Sequence, residues 1–133
     1  MKTLKLGIIS PDKYIQRTID IESGRYKPKS DEPKIWFPNV KTCMEVICEE
    51  NLLLLDLIAK QKPDTLKQLE DMSGRDQGNL NKTLRKLESY HLVRIVKNKN
   101  KLLKPIVATS NFEIMMKPDN ITHKSKSSFT MGT

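Results

Sequence analysis

Nitrogen-bearing side chains recur between residues 75 and 104 at spacings that suit contact with a polyanion. Lysine and arginine neutralise phosphates or pair with guanine, whereas asparagine and glutamine can bond bidentately to adenine. The candidates on a predicted helix are Arg75, Gln77, Asn79, Asn81, Lys82, Arg85 and Lys86. The candidates on a following predicted hairpin are Arg94, Lys97, Lys99 and Lys101. These residue types predict binding to double-stranded DNA.

The charge of the chain is concentrated in this same stretch. The 133 residues carry a net charge of +8. Residues 75–104 hold nine Lys or Arg against two acids, a net +7, whereas residues 45–74 hold three against seven, a net −4. Such segregation is typical of a protein with one surface facing a polyanion, although a basic helix can also be only a solvated face.

The residue types and their spacing do not indicate an enzyme active site. The two histidines, His91 and His123, lack neighbouring cysteine or histidine ligands at metal-binding spacing. The chain has no glycine-rich phosphate loop and no nucleophile elbow, and the acids of its helices are best read as solvated charge. We therefore predict neither an enzyme nor a cofactor or metal site.

Two helices joined by a glycine-bearing turn must position the helical candidates. Thr65 stands three residues before Gln68, which predicts a capping box and a helix ending at Gly74. Asp76 is a suitable N-cap for the next helix. Its buried stripe would be Leu80, Leu84 and Leu87, and the cationic candidates fall mostly on the opposite side.

Two β-rich runs around a polar tip follow the second helix. Residues 92–96 and 102–107 flank the sequence Lys-Asn-Lys-Asn-Lys, which predicts a hairpin. A helix, a turn, a basic helix and a hairpin in this order predict a winged helix-turn-helix. In that arrangement, helix 76–90 would read the major groove and the wing, residues 93–107, would contact the DNA backbone.

The most hydrophobic segment, residues 39–60, predicts two helices with a break near residues 49–51. One inward stripe would contain Val40, Cys43, Met44, Val46 and Ile47, and leucines nearly encircle the second helix. Such a helix can pack on the core, on another subunit, or on both. The cysteines of this segment, Cys43 and Cys48, lie roughly 140° apart around a helix, so we expect buried free thiols.

The rest of the chain is predicted to form appendages around a single domain. Residues 1–38 read as an extension, with a strand over 4–9, a helix from Ser10-Pro11 to about Ser23, a linker over 25–34 and a brief strand or aromatic anchor at 35–37. Residues 39–115 would be the winged helix-turn-helix domain, and residues 116–133 a disordered tail. The predicted class is mainly α with a small β-hairpin, that is, α+β.

Composition also bears on location. The longest apolar run, Leu52–Leu55, is too short to cross a membrane, and the first residues lack the apolar core of a signal peptide. We therefore expect a cytoplasmic protein with no membrane partner.

The helix-turn-helix segment resembles the pattern of MarR-like prokaryotic transcriptional regulators. The residues that carry the resemblance form the pattern Leu66-x-x-Leu69-x-x-x-Ser73-Gly74-Arg75-Asp76-x-x-Asn79-x-x-x-x-Leu84-x-x-Leu87-Glu88-x-x-x-Leu92-Val93. The leading strand and helix, together with Trp36-Phe37 and Phe112–Ile114, resemble a narrower group of small predicted regulators, some antitoxin-like. The resemblance spans residues 4–115. It implies dimers on inverted-repeat operators, with recognition by Arg75, Gln77, Asn79, Asn81, Lys82 and Arg85.

The chain departs from that pattern at two places. His91 stands where the family commonly has glycine, which predicts a strained or differently shaped turn into the wing. The tip is Lys-Asn-Lys-Asn-Lys rather than Asp-Gly-Arg, so general phosphate contact is expected without the family's particular minor-groove arginine. The chain also lacks long terminal helices, so any dimer would use the extension, residues 39–60, or both.

Two functions are consistent with these features. The principal hypothesis is a homodimeric, sequence-specific transcriptional regulator of repressor-like type, with activation left open as the other direction of control. The alternative is a protein-interaction module, specifically an antitoxin that binds a partner toxin through its N-terminal segment or its tail.

Overall fold

The structure, a computed structural model, describes residues 2–122 and combines helices with small sheets. The mixed α and β class expected from the sequence is confirmed. The elements in chain order are β1 (Thr3–Ile8), α1 (Pro11–Glu22), β2 (Ile35–Phe37), α2 (Val40–Val46), α3 (Glu49–Gln61), α4 (Leu66–Ser73), α5 (Gln77–Ser89), β3 (Arg94–Lys97), β4 (Leu103–Ile106), β5 (Asn111–Met115) and a 3₁₀ turn (Pro118–Asn120).

The described residues form two compact units, each discontinuous in sequence. One unit contains residues 2–4 and 44–112, and the other contains residues 5–43 and 113–122. This division differs from the predicted boundaries after residues 38 and 115. The chain beyond residue 112 joins the N-terminal segment because the sheet order is β2-β1-β5.

The unit of residues 5–43 and 113–122 contains most of β1, the helix α1 and the strand β2, which runs parallel to β1. β1 pairs with β2 in the register Leu6↔Ile35, Gly7↔Trp36 and Ile8↔Phe37. Alternation along β1 buries Leu6 and Ile8 completely, and Phe37 is also fully buried. Gly7 is required here because an added Cβ would lie 2.5 Å from the Trp36 ring. Both predicted strands are confirmed.

Residues 25–34, predicted as a linker, connect α1 to β2 inside this unit. A parallel pair of strands needs a long crossover, which α1 and this loop provide together. The loop is tied down where the Arg17 guanidinium donates to Glu32 at 2.7 Å and lies 5.2 Å from the Trp36 ring centre. The predicted linker is thus a connecting loop without helix or strand, and it joins two elements of the same unit.

The helix α1 begins and ends close to the predicted residues. Ser10 is the N-cap with Pro11 at the first position, and Gly24 adopts a left-handed φ of +84° after the end. The Ser10 hydroxyl does not cap the helix, however. It accepts a hydrogen bond from the backbone N–H of Thr122 at 2.7 Å, and the Ser10 N–H donates to the Asn120 carbonyl.

These same contacts correct part of the predicted disordered tail. Residues 118–120 form a 3₁₀ turn, and Thr122 also donates from its hydroxyl to Asp12. Residues 116–122 are therefore ordered, since contacts with the start of α1 fix a segment that shows no periodicity of its own. The remainder of the predicted tail, residues 123–133, lies outside the described residues.

The break between α2 and α3 falls two residues before the predicted one. Ile47 and Cys48 interrupt the helices, and Glu49 and Glu50 begin α3, where acidic residues suit the helix N-terminus. The predicted inward stripe is only partly correct: Cys43 and Val46 are buried, but Val40 and Met44 are exposed.

Both cysteines are free, Cys43 buried and Cys48 half-buried. Burial raises the pKa of the Cys43 thiol.

Candidate nucleic-acid interface

The cap of α4 fixes the start of the first helix of the candidate site. The Thr65 hydroxyl accepts from the Gln68 N–H at 3.0 Å, as the capping box predicted. The Gln68 side chain returns to the N–H of Asp64, one residue earlier than in the standard arrangement, at 2.7 Å. The helix ends at Gly74, whose φ of +73° and bond to the Glu70 carbonyl confirm the predicted turn.

The orientation of α5 follows from its cap and its leucines. The Asp76 carboxylate accepts from the Asn79 N–H at 2.7 Å and begins the helix where the sequence predicted. Leu80, Leu84 and Leu87 are all buried, so the opposite side of the helix is left at the surface. Burial of the predicted stripe therefore determines which side chains of α5 are available to a ligand.

Three cations occupy the exposed side of α5. Lys82, Arg85 and Lys86 are exposed, and none of them forms a salt bridge with any residue in 2–122. The amides of Gln77 and Asn79 are also exposed. An added Cβ at Gly78 would meet only the Asp76 carboxylate at 3.5 Å, so the chain itself does not require a glycine at this surface position.

Arg75 and Asn81, two of the predicted site residues, are less exposed than the three cations of α5, and each lies beside a neighbouring helix. The half-buried Arg75 donates from its guanidinium to the backbone carbonyl of Glu50 at 2.9 Å, which braces the turn against α3. Asn81 is half-buried and, with Gln77, lines a groove of about 130 Å³ between α4 and α5. Glu70 and Lys67 form part of the same groove. The cationic surface of α5 is therefore centred on Lys82 and Arg85 rather than on Arg75 or Asn81.

The acids of α4 neutralise the lysine of that groove. Lys67 lies 3.3 Å from the Glu70 carboxylate and 3.7 Å from the Asp71 carboxylate. The hydrogen bond to Glu70, together with both negative charges, raises the pKa of Lys67. The flank of α5 that faces α4 thus lies beside acids, in contrast to the flank that carries Asn79 and Lys86.

The predicted hairpin is present after α5. β3 and β4 are antiparallel, with Arg94 opposite Ile106 and Lys97 opposite Leu103. The side chains of Arg94, Lys97, Lys99 and Lys101 are exposed, and the structure gives them no ion pair with the residues it describes. Lys104 differs, since its ammonium lies 3.5 Å from the Asp64 carboxylate.

The hairpin tip is a short turn with one residue in a left-handed conformation. The Lys101 N–H donates to the Asn98 carbonyl at 2.9 Å, and the Asn98 N–H donates to the Leu102 carbonyl at 2.8 Å. Lys101 has φ +63°, a region that glycine usually occupies in such turns. The tip therefore places a lysine where a turn of this kind favours glycine.

In the turn that joins α5 to β3, a residue other than glycine again adopts a left-handed conformation, which agrees with the strained turn that the sequence predicted. His91 has φ +62°. Its N–H donates to the Glu88 carbonyl and the Leu92 N–H donates to the Leu87 carbonyl, the paired bonds of a Schellman motif. Leu92, the next residue, is buried. The helix α5 thus ends in a Schellman motif, but with a histidine at the left-handed position where glycine is favoured.

Sequence reasoning missed one contact at the site, between the hairpin tip and the start of α4. The Asn98 side-chain amide donates to the Asp64 carbonyl at 2.9 Å and to its carboxylate at 3.1 Å. These residues are 34 positions apart. The only available signal was the asparagine in the tip, which the pattern explained as a turn residue.

Two other classes of site are absent from the part of the chain that the structure describes. Within residues 2–122, no group of three or more His, Cys, Asp or Glu side chains is arranged to hold a metal ion. Over the same residues, no helix has the length and apolar character needed to cross a membrane.

The chain was compared with curated proteins, solved structures and protein-family models. No curated protein and no solved structure is detectably similar to the chain. A family model, HVO_A0114, matches residues 46–114, the segment that contains α3, α4, α5 and the β3–β4 hairpin. Because this segment is more than half of the chain, the protein belongs to the HVO_A0114 family.

Proposed function

We propose that this protein binds double-stranded DNA through a winged helix-turn-helix made of α4, α5 and the β3–β4 hairpin. α5 would enter the major groove and the hairpin would contact the backbone beside it. The observation that carries the proposal is the set of exposed cations without ion pairs among the described residues, on α5 and on the hairpin. Unpaired cations are available to phosphates without first breaking an internal contact.

Lys82, Arg85 and Lys86 would neutralise phosphates or pair with guanine at the groove. Asn79, exposed near the start of the same helix, is the amide best placed to pair with adenine. Lys97, Lys99, Lys101 and Arg94 would supply phosphate contacts that carry no sequence information directly. Arg75 would act mainly by holding the turn against α3.

The regulatory role is proposed from the same features and from the resemblance to MarR-like regulators. A protein that occupies an operator through α5 would block transcription from it, so we propose a repressor. Unbiased selection of bound DNA fragments at fixed salt tests this role. Enrichment of one inverted repeat is expected, and a bound pool with no enriched sequence would contradict sequence-specific regulation.

Alanine substitution tests DNA binding directly. Lys82→Ala/Arg85→Ala should weaken binding to a labelled DNA duplex by roughly a hundredfold at about 0.1 M salt, since each phosphate contact is worth roughly tenfold there. Lys27→Ala/Lys29→Ala is the matched control, because it removes the same charge from exposed loop positions. Equal affinity of the two double variants would reject the proposed surface.

We also propose a homodimer, and the polarity of α1 supports it. The exposed side of this helix carries Tyr14, Ile15 and Ile19, which are 44%, 60% and 45% exposed. Lys13 and Arg17 are half-buried on the opposite side, next to the rest of their unit. A helix whose isoleucines face outward is suited to pack against the same face of a second copy, since two-fold interfaces are self-complementary.

Sedimentation measurements distinguish a homodimer from the alternative function. Ile15→Glu/Ile19→Glu should convert a dimer to a monomer without unfolding it, because both side chains are already exposed. The alternative is an antitoxin-like module that uses the same α1 face for a partner toxin. A wild-type chain that stays monomeric, and whose co-purifying toxin no longer binds after this double substitution, would favour the alternative over the homodimer.

A further inference from the structure

The side chain of Asn98 uses all of its hydrogen-bonding groups at once. Its amide nitrogen donates to the carbonyl and the carboxylate of Asp64. Its amide oxygen accepts from the N–H groups of Asn100 at 2.8 Å and Leu102 at 3.0 Å. A single half-buried side chain therefore shapes the hairpin tip and ties that tip to the residue that precedes the cap of α4.

Asp64 is held from three directions. Its N–H donates to Gln68 inside the α4 cap, while its carboxylate accepts from Asn98 and lies 3.5 Å from the Lys104 ammonium. The cap of α4, the tip and strand β4 thus all meet at this residue. The two bonds from Asn98 thus join the tip directly to the start of α4, in addition to its covalent connection through β3 and β4.

We propose that Asn98 and Asp64 are positioning residues for DNA binding, an inference that rests on the proposed function. Their clamp holds the tip in one arrangement, so that Lys97, Lys99 and Lys101 reach phosphates without first being ordered. Ordering a segment at the moment of binding costs conformational entropy, and a preformed tip avoids that cost. A freed tip would contact fewer phosphates on average.

Substitutions that separate geometry from charge test the clamp. Asn98→Asp keeps an oxygen acceptor for the tip N–H groups but removes the amide donor and sets two carboxylates against each other. Asn100→Asp is the matched control, because it adds the same charge to the tip at a side chain outside the clamp. Asn98→Asp/Asp64→Asn restores one hydrogen bond with reversed polarity and has the net charge of the wild type.

Affinity for a labelled DNA duplex of random sequence should be measured over about 50 to 200 mM salt. Asn98→Asp is expected to bind roughly tenfold more weakly than Asn100→Asp, and with a salt slope that is smaller in magnitude by about 0.9 for each phosphate that is no longer neutralised. The exchanged double variant should recover most of both quantities. Equal behaviour of Asn98→Asp and Asn100→Asp, or no recovery in the double variant, would overturn the inference.

A measurement without DNA separates failure of the clamp from failure of the proposed function. The side-chain amide protons of Asn98 should exchange slowly with solvent in the wild type and faster in Asp64→Ala, as followed by NMR. Slow exchange in both proteins would reject the clamp itself. If the clamp is present but the wild-type chain does not bind DNA, the proposed function fails and the positioning role fails with it.

Discussion

Within residues 2–122, three residues other than glycine adopt left-handed backbone conformations, and all three carry side chains with nitrogen. Lys62 ends α3, His91 ends α5 and Lys101 lies in the hairpin tip, with φ between +48° and +63°. This conformation costs a residue with a Cβ roughly 1 to 2 kcal/mol. At Lys101 the strain accompanies a cation that the proposed function uses, whereas at His91 the structure gives the side chain no comparable use.

Replacing His91 with glycine should therefore stabilise the protein. We expect His91→Gly to raise the free energy of unfolding by up to about 1 kcal/mol, since relief of the left-handed strain exceeds the added entropy of glycine in the unfolded chain. Ser89→Gly is the control, because it adds the same entropy at a helical position without relieving strain and should destabilise. Thermal unfolding measures both variants, and a His91→Gly protein that melts no higher than the wild type would contradict the expectation.

A hydrogen bond at the other end of the chain sets the pKa of one carboxyl. The Thr122 hydroxyl, helped by the N–H groups of Asp12 and Lys13, holds the pKa of Asp12 below its ordinary value of 3.8. A lowered pKa stabilises the fold at pH values above the ordinary one. This stabilisation is lost as the pH falls through the folded pKa.

Removing that hydroxyl should raise the pKa of Asp12 toward its ordinary value. We expect the rise in Thr122→Val, whose side chain cannot donate, and little change in Thr122→Ser, which keeps a hydroxyl. NMR titration of the Asp12 carboxyl gives the answer. An equal pKa in the two variants would show that Thr122 does not contact the carboxylate in solution.

At the scale of elements, local chemistry predicted the helices and the hairpin well. The Thr65 and Asp76 caps, the Gly74 turn and the stripe of Leu80, Leu84 and Leu87 all lie where side-chain type and spacing placed them. Each of these signals acts within one or two helical turns, so a sequence window contains it completely. The exposed position of Lys82 and Arg85 follows from the same stripe.

Features that depend on distant residues could not be predicted in this way. The pairing of β1 with β2, the docking of residues 118–122 on Ser10 and the bond from Asn98 to Asp64 each join positions far apart in the chain. The exposure of Val40 and Met44 was missed for the same reason. Periodicity shows that a helix has an apolar side, but it does not show whether a neighbour covers that side.

The α4 cap gives an element-scale prediction. Thr65→Ala removes the acceptor of the Gln68 N–H, so the free energy of unfolding should fall by about 1 kcal/mol. Thr65→Ser keeps the hydroxyl and should retain most of the stability. Urea denaturation compares the two, and alanine and serine variants of equal stability would argue against the cap.

At the scale of the whole molecule, charge segregation is the property that DNA binding would use. Nine cations lie within residues 75–104, and eight of them form no salt bridge with any residue in 2–122, the exception being Lys104. Acids predominate over residues 45–74. A field of this kind should steer the basic surface toward DNA and keep the acidic segment away from it.

The salt dependence of DNA binding tests whether these cations neutralise phosphates. If six of these cations neutralise phosphates, the logarithm of the association constant should fall with the logarithm of salt concentration with a slope of about −5. Lys82→Ala/Arg85→Ala should reduce the magnitude by about 2, whereas Lys27→Ala/Lys29→Ala should leave it unchanged. A slope near zero in the wild type would exclude phosphate contact as the source of affinity.

The discontinuity of the two units has a consequence for the order of events on the ribosome. Each unit combines two separate segments of the chain, residues 2–4 with 44–112 in one and residues 5–43 with 113–122 in the other. Synthesis proceeds from the N-terminus, so residues 5–43 emerge well before the strand β5 that shares their sheet. The edge of β1 that pairs with β5 therefore stays without that strand until residues 111–115 have been synthesised.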